Sequence, residues 1–476
     1  MPLSALLRTR AIDAHDPPDG LSRSLSLFSL TMLGVGATIG TGIFFTMAEA
    51  VPKAGPAVLL AFLLAAITAG LTALCYAELA AAVPGSGSAY SFSYATLGEF
   101  PAFIVAACLI LEYALAGSAT AIGWSAYLNN FLTNAFGITI PDALRSPMLV
   151  AGKDGLEIHT GHFNLPPVIL VALCGVLLIR GVKSSTFAND MLVLVKLAVL
   201  VFFVAVAFTG FKADHFTPFF NAAGMAGVTA AAGTVFFSFI GLDTVATAGS
   251  EARDPRRDVS RGILLALTIV TVAYMLVAIT AIGAQAAGKF AGQEAGLAVI
   301  LQNVTGKTWP AIVLSAGAVI SVFSVTLVSI YGQTRILYAI SRDGLVPPLF
   351  QAVNPRTRTP INNTVIVCVL VGIVAGLVDS GYLWDMVSMG TLVAFMFVSL
   401  AVPVLRARQQ REGGAAPTGF RLPFGPYFVP GLSVAACLYI ISDLSPATYK
   451  VFSVWMALAV IAYFIYGVRH SALNKG

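Results

Sequence analysis

The sequence predicts an all-α polytopic membrane protein with about twelve transmembrane helices. Of its 476 residues, 58% are hydrophobic and only 10% are charged, whereas a soluble domain carries about 25% charged residues. Apolar runs of about 20 residues, the length that spans a bilayer, recur along the whole chain. Two of these runs are interrupted by glycine. The bilayer is therefore expected to be the solvent for most of the chain.

The apolar runs give the order of the predicted helices. Their ends are assigned to within a few residues, because composition defines boundaries poorly. The first run follows a polar stretch and has no Ala-x-Ala cleavage site, so it is expected to stay in the protein as a helix. The runs lie at 26–50, 56–82, 101–131, 165–181, 189–210, 225–249, 261–286, 309–340, 362–378, 383–405, 429–444 and 449–468.

Lysine and arginine set the predicted orientation. With the N-terminus in the cytoplasm, 19 of the 27 basic residues fall on the cytoplasmic side and 7 on the opposite side, with Lys196 inside the fifth run. The positive-inside rule therefore predicts that both termini are cytoplasmic. Because the basic residues are dispersed among short loops, they do not predict a nucleic-acid partner.

The first run breaks at Gly40-Thr41-Gly42. If the helix unwinds there, the amides of Thr41 and Gly42 begin a second half-helix, whose N-terminus suits a carboxylate. The Thr41 hydroxyl can add a hydrogen bond. Close helix packing is the alternative, since Gly36 and Gly40 form a G-x-x-x-G pair. Packing alone does not require the third glycine or the threonine.

The sixth run breaks between Phe237 and Gly241, about 200 residues later. Unwinding there would free backbone carbonyls that can accept hydrogen bonds from an ammonium group, and Phe237 could close over a ligand. The alternative is an ordinary buried aromatic. Two breaks in corresponding positions predict a binding site near the membrane midplane for a small charged molecule.

Four of the ionisable residues inside the predicted helices are candidates for a role within the membrane: Glu78, Glu112, Lys196 and Asp243. Lys196 has four apolar residues on each side, and burial disfavours its charge, so it is a candidate for proton coupling. The alternative is a charged structural pin against the first helix. Glu112 faces the pocket or pairs within the bundle, Asp243 holds the broken helix in place, and Glu78 is structural.

The remaining sequence lacks the signatures of enzymes and metal centres. The five histidines lie outside the apolar runs, and the five cysteines lie in apolar segments without a C-x-x-C pair. H-E-x-x-H and G-x-S-x-G motifs are lacking, and no ATPase motif is present. The sequence predicts no enzyme, no catalytic residue, no cofactor and no metal, so uphill transport would be secondary.

The positions of the two breaks suggest two inverted five-helix halves. The expected organisation is a cytoplasmic N-terminal tail at 1–25, a first repeat at 26–210, a second repeat at 225–405, a cytoplasmic linker at 406–428, two additional helices at 429–468 and a C-terminal tail at 469–476.

The chain resembles an amino acid permease of the amino acid–polyamine–organocation superfamily, and is most similar to its cationic amino acid transporter branch. The resemblance covers nearly the whole chain, and its motifs are specific in combination. They are Gly36-Ala37-Thr38-Ile39-Gly40-Thr41-Gly42-Ile43-Phe44, Pro84-Gly85-Ser86-Gly87-Ser88-Ala89-Tyr90, Leu111-Glu112-Tyr113, Phe236-Phe237-Ser238-Phe239-Ile240-Gly241-Leu242-Asp243, Gly332-Gln333-Thr334-Arg335 and Ser341-Arg342-Asp343-Gly344.

The resemblance implies a five-plus-five inverted repeat with two extra helices and breaks in helices 1 and 6, as in the LeuT-like fold. It implies that the substrate carboxylate meets amides around Thr41 and Gly42. It also implies that the amino group meets carbonyls of Thr38, Phe237 and Ile240. Gly40, Gly241 and Asp243 would support the breaks, and Phe237 would be an aromatic gate. Lys196 matches a lysine that, in sodium-independent members, takes the place of a sodium ion.

Side-chain specificity is assigned to Ser329 and Glu112. Ser329 matches a helix 8 position that faces the side-chain pocket, where serine leaves more room than methionine and is similar to the animal cationic transporters. An ordinary packing residue is the alternative. Leu242 stands where relatives often have phenylalanine, and Gly249-Ser250-Glu251 replaces a more acidic segment end. These departures concern the details of gating.

The predicted function is a secondary active permease for L-amino acids in the plasma or inner membrane, working by alternating access. Proton-coupled symport is favoured, with cationic or broad neutral amino acids as substrates. The alternatives are an obligate exchanger, a channel and a non-transporting amino acid sensor. The expected partners are the amino acid, protons and lipid, with a small single-pass membrane partner left open.

Overall fold

The computed structural model describes residues 6–10, 25–83, 88–152, 155–181, 186–293, 295–357, 359–411 and 420–474. This part of the chain is a bundle of helices. Its first half contains α1 (Leu27–Thr38), α2 (Thr41–Ala54), α3 (Val58–Ala82), α4 (Ala89–Thr96), α5 (Glu99–Phe136), α6 (Asp142–Arg145), α7 (Leu165–Arg180) and α8 (Thr186–Phe208).

The second half continues the bundle after a loop with a short 3-10 turn at Ala213–Phe216. It contains α9 (Gly224–Phe236), α10 (Thr244–Thr247), α11 (Ser260–Ala284), α12 (Gly296–Thr305), α13 (Trp309–Arg342), α14 (Ile361–Leu377), α15 (Gly381–Arg411), α16 (Gly425–Ser442), α17 (Pro446–Ala462) and α18 (Val468–His470). Within the described residues, nine helical segments are long and apolar enough to cross a membrane.

Each of the twelve predicted apolar runs coincides with helix, and both predicted breaks are present. The first run is divided into α1 and α2, and the sixth into α9 and α10. α15 continues to Arg411 and α16 begins at Gly425. The stretch 406–428, which was expected to be a linker, is therefore helical at both of its ends. Residues 11–24, 84–87 and 412–419, which include part of the second motif, lie outside the described residues.

The connection between α5 and α7 contains structure that the sequence did not predict. Strand β1 (Leu149–Gly152) pairs antiparallel with β2 (Gly155–Ile158), with Leu149 opposite Ile158. The hairpin belongs to a stretch too short to bury a core of its own. It is tied to the bundle by the Asp379 amide, which donates to the Leu149 carbonyl at 2.9 Å.

Glu78 has the structural role that the sequence suggested, and the structure supplies its partner. Arg406 on α15 donates from Nε and from one terminal nitrogen to the two Glu78 carboxylate oxygens, both at 2.6 Å. The Leu422 amide adds a bond at 2.7 Å. A paired and hydrogen-bonded carboxylate avoids the cost of an isolated buried charge. This contact joins α3 to α15 and to the segment before α16.

Candidate functional site

The two helix breaks are in contact and together line a cavity with an empty volume of about 530 Å³, including its open mouth. The long helices α5 and α13 close its sides. Its walls come from both breaks and from one face of each long helix. They comprise Ala37, Thr38, Gly40, Gly42, Glu112, Tyr113, Ala116, Thr120, Phe237, Ile240, Gly241, Asp243, Thr244, Val325, Val328 and Ser329.

The first break is short and sharp. α1 ends at Thr38, Ile39 is extended, and Gly40 precedes the first residue of α2 with no side-chain cap. The first amides of a helix have no partner within it, so those of Thr41 and Gly42 are available to a ligand. A Cβ at Gly42 would overlap the Ser238 backbone, and one at Gly40 would lie 2.5 Å from Val325. Both glycines are therefore required by close approach.

The second break is longer and contains several conformations. A 3-10 turn covers Phe237–Phe239, Ile240 is extended, and Gly241 has a φ of 105°, which disfavours any side chain. A Cβ at Gly241 would also lie 2.8 Å from the Ala37 carbonyl oxygen. The Phe237 carbonyl accepts a long bond, 3.3 Å from the Ile240 amide. It therefore keeps capacity for a second donor.

Tyr274 on α11 links the two breaks, and it was not among the residues predicted from the sequence. Its buried hydroxyl lies 2.8 Å from the Thr38 carbonyl oxygen and 2.9 Å from the Ser238 carbonyl oxygen. One phenol proton is thus shared by one carbonyl from each break. A buried phenol needs a hydrogen-bond partner, but the sequence of α11 does not indicate which carbonyls Tyr274 contacts.

An aromatic cluster lies against the cavity at Phe237. The Phe237 ring meets the Trp384 ring edge to face, with centroids 4.6 Å apart, and Phe45 stacks on Trp384 at 6.5 Å. All three side chains are buried. Trp384 lies on α15, outside both breaks, and no pattern in the sequence indicated its contact with Phe237.

Lys196 lies outside the cavity wall. Its Nζ donates to the Gly36 carbonyl oxygen at 2.8 Å, and the residue is 3% exposed. α8 can approach α1 this closely because position 36 is glycine. A Cβ at Gly36 would overlap the Val193 side chain. Lys196 therefore contacts the backbone of α1 one turn before the break.

Glu112, Asp243 and Ser329 contribute polar groups to the cavity wall. Glu112 lies on α5, Ser329 lies on α13, and Asp243 ends the second break. The Glu112 Oε2 atom is buried without a hydrogen-bond partner among the described residues. The sequence left open whether Glu112 faces the pocket, and the structure places it there.

Comparison with known proteins gives the family. Residues 25–472 match the model of the amino acid permease family. The chain is 40% identical to the branched-chain amino acid permease BcaP of Bacillus subtilis, over 98% of this chain and 97% of the relative.

The chain belongs to the amino acid permease family.

Two further relatives are named as transporters of other compounds. The permease is 39% identical to the methylthioribose transporter of Bacillus subtilis, over 99% of this chain and 100% of the relative. It is 35% identical to the vacuolar cationic amino acid transporter 2 of Arabidopsis thaliana, over 84% of this chain and 63% of that protein. The relatives are transporters, and this permease is a multi-pass membrane transporter of amino acids, not an enzyme.

The structure gathers most of the predicted site residues around one cavity. Thr38, Gly42, Phe237, Ile240, Glu112 and Ser329 line it, together with Gly40, Gly241 and Asp243. The side chain of Thr41 lies outside the described part of the permease, although its backbone begins α2. The Thr38 hydroxyl donates to the Gly34 carbonyl at 2.8 Å, and the group that is expected to meet the substrate is the Thr38 backbone carbonyl.

Proposed function

We propose that this permease carries L-amino acids across the plasma membrane by alternating access, with both termini in the cytoplasm. One observation carries the proposal: a helix N-terminus and a run of unwound backbone line the same cavity. Together they match the carboxylate and the ammonium group that every α-amino acid has. The bias of basic residues toward one side supports the orientation.

The substrate carboxylate is proposed to bind the amides of Thr41 and Gly42 at the beginning of α2. This end of a 14-residue helix carries partial positive charge and has no side-chain cap that would compete. The amino group is proposed to bind the carbonyls of Phe237 and Ile240. The Thr38 carbonyl already accepts from Tyr274, and its second lone pair can serve the ammonium group.

Transport is proposed to be driven by protons through Lys196. Neutralising its amine would weaken the bond to the Gly36 carbonyl and so release α1, which ends at the binding site. The two inverted repeats, 26–210 and 225–405, are proposed as the bodies that move. A single-pass membrane partner remains a prediction from the sequence alone.

The test is uptake of labelled amino acids by purified protein in proteoliposomes. Saturable uptake with counterflow is expected, and its absence for all amino acids would contradict the proposal. Uptake into empty vesicles under an imposed pH gradient separates a symporter from an obligate exchanger. Lys196→Ala should lose the gradient-driven component, whereas Lys212→Ala, which changes an exposed loop lysine, should keep it. An unchanged pH dependence in Lys196→Ala would remove the lysine from coupling.

A second candidate substrate is a methylthio-sugar such as methylthioribose, which the relative with 39% identity transports according to its name. The unpartnered Glu112 oxygen and Asp243 favour it, because carboxylates accept hydrogen bonds from hydroxyl groups. Competition decides between the candidates. Methylthioribose should displace labelled leucine only if both use this cavity.

A further inference from the structure

The outward face of α13 changes in composition along the helix. In the half that follows Trp309, this face carries Val313 and Ile320, which are exposed apolar side chains of the kind that contact lipid. Tyr331 lies eleven residues after Ile320, about three helical turns, so both side chains leave the helix on the same side. From there to the end of α13 the face carries only aromatic and basic residues. They form the Tyr–Arg stripe: Tyr331, Arg335, Tyr338 and Arg342.

The Tyr–Arg stripe is a continuous surface feature. Its members are spaced by four, three and four residues, so their side chains lie one above the other on the helix. Tyr331, Arg335 and Arg342 are exposed, and Tyr338 is half-buried. The two arginines are seven residues apart, or about 10 Å along the helix axis. The stripe therefore presents two positive charges, with a tyrosine between them, away from the helix bundle.

Arg335 is held against Tyr331. Its Cζ atom lies 4.9 Å from the centroid of the Tyr331 ring, a cation–π distance. Tyr331 precedes Arg335 by one turn, so this contact directs the guanidinium group back toward the apolar half of α13 and not toward the end of the helix. The ring covers one face of the guanidinium group. The N–H donors in its plane remain available to an anion.

The described part of the chain supplies no carboxylate to the stripe. Neither Arg335 nor Arg342 takes part in an ion pair among the described residues. Asp343, which is the acidic residue next to the stripe in sequence, accepts a hydrogen bond from Tyr90 Oη at 2.6 Å. Asp190 on the adjacent helix α8 accepts a hydrogen bond from α1. The anion that suits the stripe must therefore come from another molecule.

The surroundings of the stripe favour a lipid over a soluble anion. α8 packs against α13 where Gly317 meets Val199, and the first half of α8 exposes Met191, Leu194 and Val195. These apolar side chains are suited to contact with acyl chains. Tyrosine is enriched where the apolar part of a bilayer meets the head groups. The stripe is at the end of α13 that is proposed to be cytoplasmic, and anionic lipids of the cytoplasmic leaflet attract basic residues.

We propose that the Tyr–Arg stripe binds an anionic phospholipid. Its phosphate group would accept hydrogen bonds from Arg335, the rest of its head group would lie toward Arg342, and its acyl chains would lie along α8 and the apolar half of α13. Another face of α13 carries Val325, Val328 and Ser329, which line the substrate cavity. The lipid would thus contact a helix of the cavity wall without entering the cavity, whichever substrate the permease carries.

The test is a thermal shift assay on the purified permease in detergent, titrated with one lipid at a time. Phosphatidylglycerol and cardiolipin should raise the unfolding temperature with a saturable midpoint, because a ligand that binds the folded state stabilises it. Phosphatidylcholine, which has no net charge, should not. Glycerol 3-phosphate, which has the phosphate without acyl chains, should have no effect at the same concentrations. Equal stabilisation by phosphatidylcholine or by glycerol 3-phosphate would overturn the proposal.

Variants locate the binding on the stripe. Arg335→Gln should raise the phosphatidylglycerol concentration at the midpoint by about fivefold, and the double variant with Arg342→Gln by about 25-fold, since each basic residue near a membrane surface contributes a similar amount. Arg335→Lys, which keeps the charge, should lie closer to the wild type. The unfolding temperature in phosphatidylcholine shows whether each variant is folded.

The matched control is Arg257→Gln. Arg257 is an exposed arginine outside the stripe, between Asp254 and Asp258 in the segment before α11. Its substitution removes the same charge and should leave the phosphatidylglycerol midpoint unchanged. An unchanged midpoint in folded Arg335→Gln would exclude the stripe as the lipid site, and so would an equal shift in Arg257→Gln.

Discussion

The two helix breaks differ in the backbone groups that they offer. The first takes two residues and is followed by a 14-residue helix, so it presents a helix N-terminus. The second runs from Phe237 to Asp243 and is followed by only four helical residues, α10. It offers freed carbonyls instead. The contrast shows how two glycine-containing helix breaks can supply opposite partial charges, one suited to a carboxylate and the other to an ammonium group.

The largest effect is expected where the two breaks touch. Gly42→Ala would place a methyl group in the Ser238 backbone and force the breaks apart. We expect transport to fall by about 100-fold, because small displacements at a binding site have effects of this size. Gly431→Ala on α16 is the matched control, since a Cβ there meets nothing within 4 Å. Labelled uptake measures both, and wild-type rates in Gly42→Ala would disprove the close contact.

The next largest effect is expected from a substitution in the second break. Gly241→Ala puts a side chain at a φ of 105° and against the Ala37 carbonyl. We expect a cost of about 2 kcal/mol in the stability of the binding conformation, equal to about 30-fold in substrate affinity. Gly292→Ala shares a positive φ of 74° but has open space around it. If both variants lose affinity equally, the contact with the first break contributes nothing.

A smaller effect is expected from uncoupling the breaks while leaving their glycines in place. Tyr274→Phe removes the hydroxyl that contacts the Thr38 and Ser238 carbonyls. Leaving buried carbonyls with fewer donors should cost about 1 to 3 kcal/mol in the stability of the folded protein. Tyr127→Phe is the control, because that hydroxyl donates to the Phe44 carbonyl on α2 and not to the Thr38 or Ser238 carbonyl. Thermal shift should show similar destabilisation in both, whereas substrate-induced stabilisation should decrease only in Tyr274→Phe.

The smallest effect on transport is expected outside both breaks, at Ser329, where the substrate side chain is proposed to lie. Ser329→Met would fill space between α13 and α5, where Gly117 lies opposite Ser329. We expect uptake of arginine and lysine to decrease by about fivefold relative to alanine, since pocket shape discriminates by modest factors. An unchanged ranking of substrates would show that Ser329 is a packing residue and that substrate selection does not depend on it.

Much of the site could be predicted because glycine and charge are costly in a membrane. Gly40, Gly42 and Gly241 are conspicuous inside apolar runs, and so are Glu112, Lys196 and Asp243. Tyr274 and Trp384 were missed because an aromatic residue in an apolar helix is ordinary. The partner of Glu78 was missed as well, since pairing across hundreds of residues leaves no local pattern. The β-hairpin is local, but its two strands of four residues each are too short to show a clear alternating pattern.

The sequence by itself determined that the bilayer is the solvent, where the helices run and where two of them break. These features follow from local composition, because unpaired backbone groups and charges are costly in lipid whatever surrounds them. The tertiary structure alone decided which groups meet. It turned Lys196 toward the Gly36 carbonyl and brought Glu112 and Asp243 to the same cavity without a basic partner among the described residues. Helix packing sets the rotation of each helix, and that rotation decides which side chains share a site.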